Sequence, residues 1–514
     1  MKRTLLFFCF LSQIVFAQTP TLVKDIYNGT MGSLAYYGAF SRMANLNGIL
    51  IFGANNGTIG AELWKSDGTA AGTVLVKDIK PNDNPYFNGS DPILFTTIGN
   101  YVFFAGYSGL GELYRTDGTT AGTIQLSTFS GFEITNIGTT AYYANNGELW
   151  KSNGMIAGTS QVKDILLSGD SSPRNLTNVN GTLYFVANDD ANVSNEEIWK
   201  SNGTSAGTIK VKEVNINGSS NPTGLINFNN MLYFFAFNND NGGWGLYKSD
   251  GTSAGTVLVK SGLYNPSSAI APSDPIVSNG ILYFTANSAA NGIEIWKSDG
   301  TNAGTVLLKD INPSGFQGGS TLEAAVLGSY LYFSADDDAN GTELWRTDGT
   351  ANGTVLFKDI AGGSGSSNPV SFKTIGSKIY FRAYTSTSGD ELWQTDGTFA
   401  NTTQLPDINT GAISSIPGYF TEVNGNIFFR ATSYAFDMEL WKLDLSSNCP
   451  PTLVPTGNIT ANQKANTSVS TTGTNTIPAS ANVTYQAGKY VQLNPGFRTQ
   501  GNTVFQAKIL AGCN

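Results

Sequence analysis

Apolar residues recur along this chain in short runs separated by Gly, Asp, Asn and Thr, and the stretch 341–360 shows the unit most cleanly. Glu343–Arg346 reads as a strand, Asp348-Gly349 as a turn, and Thr354–Asp359 as a second strand rich in β-branched and aromatic residues; together they form a hairpin. Two more strands precede the hairpin in each copy, as at Ser371–Ile375 and Lys378–Ala383 around Gly376-Ser377. The second of these carries an aromatic pair, seen at Phe103-Phe104, Tyr142-Tyr143, Tyr233-Phe234, Tyr332-Phe333, Tyr380-Phe381 and Phe428-Phe429.

The hairpin starts at Glu62, Glu112, Glu148, Glu197, Gly245, Glu294, Glu343, Glu391 and Glu439, spaced 48–50 residues apart except for 36 between Glu112 and Glu148. A period of this length with turn residues at constant offsets predicts propeller blades of four strands. Neighbouring residues of a strand point to opposite faces, so Leu344 beside Trp345 and Tyr332 beside Phe333 put apolar bulk on both. Blades stacked face to face around an axis cover both.

The ends of the array predict closure. The last copy stops at Trp441-Lys442-Leu443-Asp444 without a fourth strand, and an orphan copy of that strand, Thr21–Ile26, stands near the N-terminus. Joined, they complete a blade and remove two open edges. The expected fold is therefore an all-β propeller of about nine blades. An eight-bladed ring with the short third copy as an insertion is the alternative, and a split into two propellers is disfavoured by the single orphan strand.

Ser446–Pro455 breaks the period and marks a boundary. The expected organisation is a signal peptide at 1–17, the propeller at 18–445, and a linker with a small β module at 446–514. In that module apolar positions alternate at Val483, Tyr485, Val491, Leu493 and Ile509.

Lys2 and Arg3 before the apolar run Leu5–Phe16, with Ala17-Gln18 at its end, are the features of a secretory signal. Export follows, to the cell surface or the medium. Cys9 lies inside the apolar run, which leaves Cys449 and Cys513 of the three cysteines. An even pair in an exported chain points to a disulfide clasping the tail, stabilising by roughly 4 kcal/mol in the chain-entropy account.

The net charge is −9, with no basic stripe, which argues against nucleic acid as a partner. No later stretch is apolar for long enough to span a bilayer. There is no histidine among the 514 residues, so Ser-His-Asp triads, His-activated cysteines and His-ligated zinc are excluded.

The motif Glu-Leu-Trp-x-x-Asp-Gly-Thr, at Glu62–Thr69, Glu343–Thr350 and Glu391–Thr398, resembles the repeat of the ELWxxDGT repeat proteins, exported proteins frequent in the Bacteroidetes. The resemblance covers Thr21–Leu445. The tail, with Tyr485-Gln-Ala-Gly-Lys489, Leu493-Asn-Pro-Gly-Phe497 and Phe505-Gln-Ala-Lys-Ile509, resembles C-terminal coathanger-stack modules. Together they imply an extracellular or cell-surface propeller, and neither brings a catalytic residue.

The nine copies serve as an internal alignment. The turn Asp (Asp67, Asp117, Asp250, Asp299, Asp348, Asp396, Asp444) becomes Asn153 and Asn202 in two copies, so the position requires an Asx turn rather than a charge. The strand-start Glu and the basic residue after the aromatic, Lys65 through Lys442, are expected to form an exposed or interblade ion-pair ladder. Repeated positions account for 22 of the 38 acids, and a catalytic carboxylate should be sought among the other 16.

Among those, Asp336-Asp337-Asp338-Ala339-Asn340-Gly341 has calcium-type ligand spacing but lacks the bidentate Glu of an EF-hand loop, and a polar turn is its plainer reading. Lone Glu133, Glu323, Glu422 and Asp437 could supply a glycosidase pair. No catalytic residue, cofactor or metal ligand is assigned. The expected function is a non-catalytic binding or adhesion scaffold for an extracellular protein or glycan, its C-terminal module facing the cell envelope. A glycosidase-like propeller using unrepeated acids is the alternative.

Overall fold

The computed structural model describes residues 18–28, 32–34, 43–81, 89–107, 111–131, 133–190, 195–263, 271–288, 290–313, 322–435 and 437–445, and the backbone strands of the segment beyond. Residues 1–17, where the signal peptide is expected, and Cys449 and Cys513 lie outside these. Among the described residues the helices are two three-residue 3-10 turns, Ile156–Gly158 and Asn239–Asn241. No helix among them is long and apolar enough to cross a membrane.

Nine four-stranded sheets follow one another as the blades of a β-propeller, which settles the choice between nine and eight. Blade 7 is typical, running outward through Ala324–Leu327, Tyr330–Asp336, Thr342–Thr347 and Val355–Lys358. Its alternating side chains go to different neighbours. Tyr332 and Leu344 pack with Ile379, Phe381 and Trp393 of blade 8, whereas Phe333 and Trp345 pack with Tyr283, Ile295 and Leu308 of blade 6. All four are buried, each contributing roughly 1.5–3 kcal/mol of apolar transfer.

The ninth blade takes three strands from the end of the repeat array, Gly418–Val423, Asn426–Ala431 and Glu439–Asp444, and its fourth from the N-terminal segment, Thr21–Lys24. Val23 and Ile26 join Leu50, Phe52 and Trp64 of blade 1 and Phe428 and Leu440 of blade 9 in a single core. At the axis, Asn45 Nδ2 of blade 1 donates to the Glu422 carbonyl of blade 9 at 2.9 Å.

The short third copy is a complete blade, Ile134–Ile137, Thr140–Asn145, Glu148–Ser152 and Thr159–Lys163. Its second and third strands meet across Asn146-Gly147, with Asn145 opposite Glu148, and only residues 129–133 connect the blade 2 outer strand to its inner strand. The missing residues come from loops, which tolerate shortening.

The turn after the Glu-Leu-Trp strand spans 348–354, and each polar residue of the motif has a place in it. Asp348 Oδ1 accepts from the Thr350 N–H (2.9 Å) and hydroxyl (2.8 Å), and Thr350 Oγ1 accepts from Gly353 N (2.9 Å). Thr354 Oγ1 donates to the Thr350 carbonyl (2.7 Å), and Gly349 sits at φ +91°. A side chain at 353 would meet Asp348 Oδ1 at 2.0 Å, which accounts for the second glycine. Asn202 accepts from Thr204 in the same way. Asp348→Asn should therefore leave the thermal midpoint within about 1 °C of wild type, while Asp348→Ala, which removes the acceptor, should lower it by roughly 2–3 °C. Calorimetry of the two variants checks this; equal losses would rule out the turn role.

The expected ion-pair ladder is corrected. The basic residue after the aromatic bonds a backbone carbonyl of the next blade's turn: Lys65 Nζ to Gly118 O (3.0 Å), Lys151 to Gly203 O (2.8 Å), Lys297 to Gly349 O (2.7 Å). The outer-strand lysine does likewise, Lys77 to Thr123 O (2.8 Å) and Lys163 to Thr208 O (2.8 Å), and Lys24 of the N-terminal strand supplies the bond to Thr73 O (2.7 Å) that joins blade 9 to blade 1.

The strand-start Glu is buried rather than exposed in seven blades. Glu343 accepts from the N–H groups of Ile360 (2.8 Å), Ala361 (3.2 Å) and Ser367 (2.9 Å) and from the Ser367 hydroxyl (2.6 Å), holding the connection into blade 8. Glu62, Glu148 and Glu197 make the corresponding bonds with Ser90, Ser171 and Ser220. Glu439 does so with Ser33, Ile26 and Tyr27 of the N-terminal segment. Blade 2 departs from this pattern, and its Glu is half-buried. Glu112 there accepts from the hydroxyl of Tyr114 (2.8 Å), the residue standing in place of Trp.

Leu22–Val423 and Phe428–Trp441 form one compact unit, and the segment from Lys442 onward belongs to a second, together with Asn424–Ile427 and the chain up to Thr21. In the C-terminal segment successive strands enter three parallel sheets in rotation, for example Gln463–Ala465, Asn482–Ala487 and Val504–Ile509 in one of them. Val469 stands opposite Val491 and Tyr485 opposite Ala507. This is a short parallel coil, an arrangement that the alternating apolar positions did not reveal, since parallel and antiparallel strands share a two-residue period.

Candidate functional site

The inner strands line the propeller axis, and side-chain hydroxyls and amides stitch them together. Thr97 Oγ1 bonds Asn45 O (2.9 Å), Asn178 Nδ2 bonds Asn136 O (3.0 Å) and Thr374 Oγ1 bonds Val326 O (2.7 Å). Against this polar wall a cavity of about 940 Å3 opens between the inner strands of blades 7, 8, 9 and 1. Glu323, Lys373, Arg382, Tyr419, Glu422 and Arg430 supply its chemistry, with Phe372 among the apolar lining.

The cavity is built from departures from the repeat. After the aromatic pair the other blades carry small or uncharged residues, from Gly53, Ala105 and Ala144 through Val186 and Phe235 to Thr285 and Ser334, whereas blades 8 and 9 carry Arg382 and Arg430. Lys373 likewise replaces the Thr found at Thr96, Thr177 and Thr421. The Arg430 guanidinium lies 4.3 Å from the centre of the Tyr419 ring, and Arg382 Nε is 3.7 Å from Asp390 Oδ1. Tyr419 is at φ +61°, in a bulge shared with Leu94, Asn175 and Ser371, so the left-handed backbone belongs to the blade and its use here to present an aromatic side chain is particular to blade 9.

The unrepeated acids separate into two kinds. Glu133 and Glu323 each precede a four-residue inner strand and serve the next blade's bulge: Glu133 accepts from Leu176 N (3.0 Å) and Glu323 from Ser371 N (3.2 Å). Burial pushes the Glu133 carboxyl above its ordinary range, against the pull of the Leu176 and Asn175 N–H groups. Glu323 and Glu422 line the cavity together; Glu133 and Asp437 are not among its lining residues.

At 336–341 the carboxylates face donors of the loop itself and of Asn312. Asp336 accepts from Asp338 N (2.8 Å), Asp337 from Asn340 N (2.8 Å) and the Asn340 amide (2.8 Å), and Asp338 from the Asn312 amide (3.0 Å). These are the bonds of a polar turn. Among the described residues no group of three His, Cys, Asp or Glu side chains is placed to hold a metal ion.

A smaller cleft of about 440 Å3 lies between blades 1 and 2, lined by Leu46, Ile49, Lys65, Asp67 and Asp117. Its acids are engaged in Asx turns, and it offers little polar chemistry.

Sequence reasoning missed both arginines, because it searched the unrepeated acids and not the unrepeated bases. It also missed the serine partner of the buried Glu, although a serine 23–24 residues downstream of Glu148, Glu197, Glu343 and Glu391 was there to be seen.

No protein-family model and no curated protein sequence matches the chain. Solved structures resemble it at the level of the fold. The computationally designed Ika8 protein is 13% identical over 70% of this chain and 96% of its own, with a TM-score of 0.39. Sqt1 of Saccharomyces cerevisiae is 13% identical over 69% and 96%, with a TM-score of 0.40. A puromycin hydrolase is 12% identical over 74% of this chain and 63% of its own, with a TM-score of 0.36. At such values none of them bears on function.

Proposed function

We propose that the protein is an exported, non-catalytic binding scaffold of the ELWxxDGT repeat type that takes a glycan of its surroundings in the axial cavity, with the C-terminal coil as a spacer or attachment toward the cell envelope. The observation that carries this reading is that the cavity of about 940 Å3 gathers Lys373, Arg382, Tyr419 and Arg430, residues that the other copies do not carry at those positions. Scaffold residues recur nine times, whereas a ligand site on a closed array is formed once. The mixture of an aromatic ring, guanidinium groups and carboxylates suits a sugar, whose hydroxyls need donors and acceptors and whose C–H face needs a ring.

The second reading is a glycosidase-like enzyme, favoured by the presence of Glu323 and Glu422 in one cavity. A glycan array read for binding, paired with a hydrolysis screen on the same sugars, separates the two. Binding without turnover is expected. Turnover that Glu422→Gln abolishes would make the protein an enzyme.

A further inference from the structure

We infer that the cleft between blades 1 and 2 is a second binding site, which takes the tyrosine side chain of a protein partner that carries basic residues beside that tyrosine. It stands apart from the axial cavity and does not depend on the glycan reading.

The other blades show what this place is shaped for. Ile51, paired with Lys65 across the strands, occupies a position that is Tyr in blades 3–8 and Phe in blades 2 and 9. In blades 3–7 that tyrosine crosses the interblade gap and sets its hydroxyl against the turn glycine of the next blade. A side chain on Gly349 would meet the Tyr283 hydroxyl at 2.8 Å, and one on Gly397 would meet the Tyr332 hydroxyl at 3.1 Å. Tyr142, Tyr184 and Tyr233 stand in the same way against Gly203, Gly251 and Gly300. In blade 2, where Phe103 has no hydroxyl, the Tyr101 ring and Arg115 cover Gly154 instead.

The gap between blades 1 and 2 is the exception. The atoms nearest to a side chain built on Gly118 are Leu46 Cδ2 at 3.7 Å and Ile51 Cδ1 at 3.8 Å, and among the described residues no ring reaches it. The space opens as the cleft of about 440 Å3. Its lining matches the surroundings of the tyrosines elsewhere: Leu46, Ile49 and Lys65 correspond to Leu327, Tyr330 and Arg346 around Tyr332. The polar end matches as well. Tyr332 donates to the Gly397 carbonyl at 3.4 Å while Arg346 shares that oxygen, and Gly118 O, bonded by Lys65, keeps a second lone pair for a hydroxyl. An apolar slot that ends in one acceptor suits a phenol better than an aliphatic side chain or a sugar, which needs several polar partners.

Two features point to a protein as the source of the ring. Val74 in the cleft wall is 38% exposed; a free phenol would leave it wet, whereas a tyrosine on a chain brings a neighbouring residue over it. Asp67 and Asp117 also stand in the lining, and the donors of Thr119 hold Asp117 below the usual carboxylate range, so it stays charged at neutral pH. Basic residues beside the tyrosine complement this pair.

The probes are the acetylated, amidated peptide Gly-Ser-Lys-Tyr-Lys-Ser-Gly, its counterparts with Phe or Leu for Tyr and with Glu for both Lys, and p-cresol as a free phenol. Each is titrated into the full chain and followed by ligand line broadening in NMR spectra. The Tyr peptide should bind, the Phe peptide about 5-fold more weakly for want of the hydroxyl bond, and the Leu peptide at least about 10-fold more weakly. p-Cresol and the Glu-flanked peptide should each bind at least about 5-fold more weakly than the Lys-flanked one.

Ile51→Tyr installs the residue of blades 3–8 and should fill the cleft, weakening the Tyr peptide at least about 10-fold while the thermal midpoint stays at or above wild type. Asp117→Asn keeps the Asx turn, as Asn202 does, and should weaken the Lys-flanked peptide about 3-fold and flatten its salt dependence. If Ile51→Tyr unfolds, Asp117→Asn and the Leu peptide carry the test. A folded Ile51→Tyr variant that binds like wild type, or a Leu peptide that binds as well as the Tyr peptide, would overturn the assignment of the slot. p-Cresol or the Glu-flanked peptide matching the Lys-flanked peptide would overturn the partner. Binding of none of these probes would overturn the whole inference.

Discussion

Deleting Thr21–Ile26 should lower the thermal midpoint by on the order of 10 °C or more, or leave the chain aggregated, because this segment completes the last blade in three ways at once. Its strand covers the open edge of Glu439–Asp444. Val23 and Ile26 fill the core between blades 9 and 1. Lys24 makes the bond to Thr73 O that other blades make with their own outer-strand lysine, and Ile26 supplies one of the N–H groups around Glu439. Without it the array keeps an exposed strand edge at one end and an uncovered apolar face at the other. The measurement is thermal unfolding by circular dichroism with size-exclusion chromatography on the same samples. Supplying the segment as a separate peptide should restore part of the loss. An unchanged midpoint in the deleted chain would show that closure does not depend on this strand.

The second large effect is on pH dependence. Burial pushes the carboxyls of Glu197, Glu294, Glu391 and Glu439 up to about 7, outweighing the N–H and hydroxyl groups that pull them down. A folded chain that holds these protons more tightly than the unfolded one gains stability that is complete below about pH 4.5 and is lost as pH rises through 7. For the well-buried Glu197 and Glu439 the interval corresponds to at most about 3 kcal/mol each. The serine partner makes protonation tolerable, since a hydroxyl that donates to a carboxylate can accept from a carboxylic acid.

The turn aspartates act in the opposite sense. Threonine donors hold Asp250, Asp299 and Asp348 below the usual carboxylate range, so their contribution is present above about pH 4 and falls away in stronger acid. Maximal stability near pH 5, with a falling midpoint toward pH 8, is the expected profile. Glu439→Gln should flatten the alkaline side while costing stability at pH 5. Glu439→Ala should cost roughly 3–5 kcal/mol at either pH by leaving its donors unmet. A midpoint that climbs steadily from pH 5 to pH 8 would contradict this account.

Much of the architecture was legible before any coordinates. The Glu-Leu-Trp period, the apolar residues adjacent in each strand and the orphan strand Thr21–Ile26 are local facts, and together they require stacked blades with a ring sealed between its ends. The Asn153 and Asn202 substitutions identified the turn acid as a hydrogen-bond acceptor, and Asn202 makes those bonds. The strand-start Glu was misread, because charge alone suggested an exposed partner for the lysine; whether a carboxylate is buried depends on the connection that folds over it some 17–24 residues later. The role of Glu133 and Glu323 was hidden for the same reason, since each serves a backbone N–H in the following blade.

The repeated strands, their turns and the strand that closes the array could be read from the chain, with nine or eight blades left open, because hydrophobic period and turn chemistry act between residues close in the chain. Only the tertiary structure decided which departures from the repeat meet. Arg382, Arg430, Lys373 and Glu422 share a cavity because consecutive blades bring equivalent positions side by side around the axis. That proximity is a property of the closed ring, and no spacing along the chain encodes it.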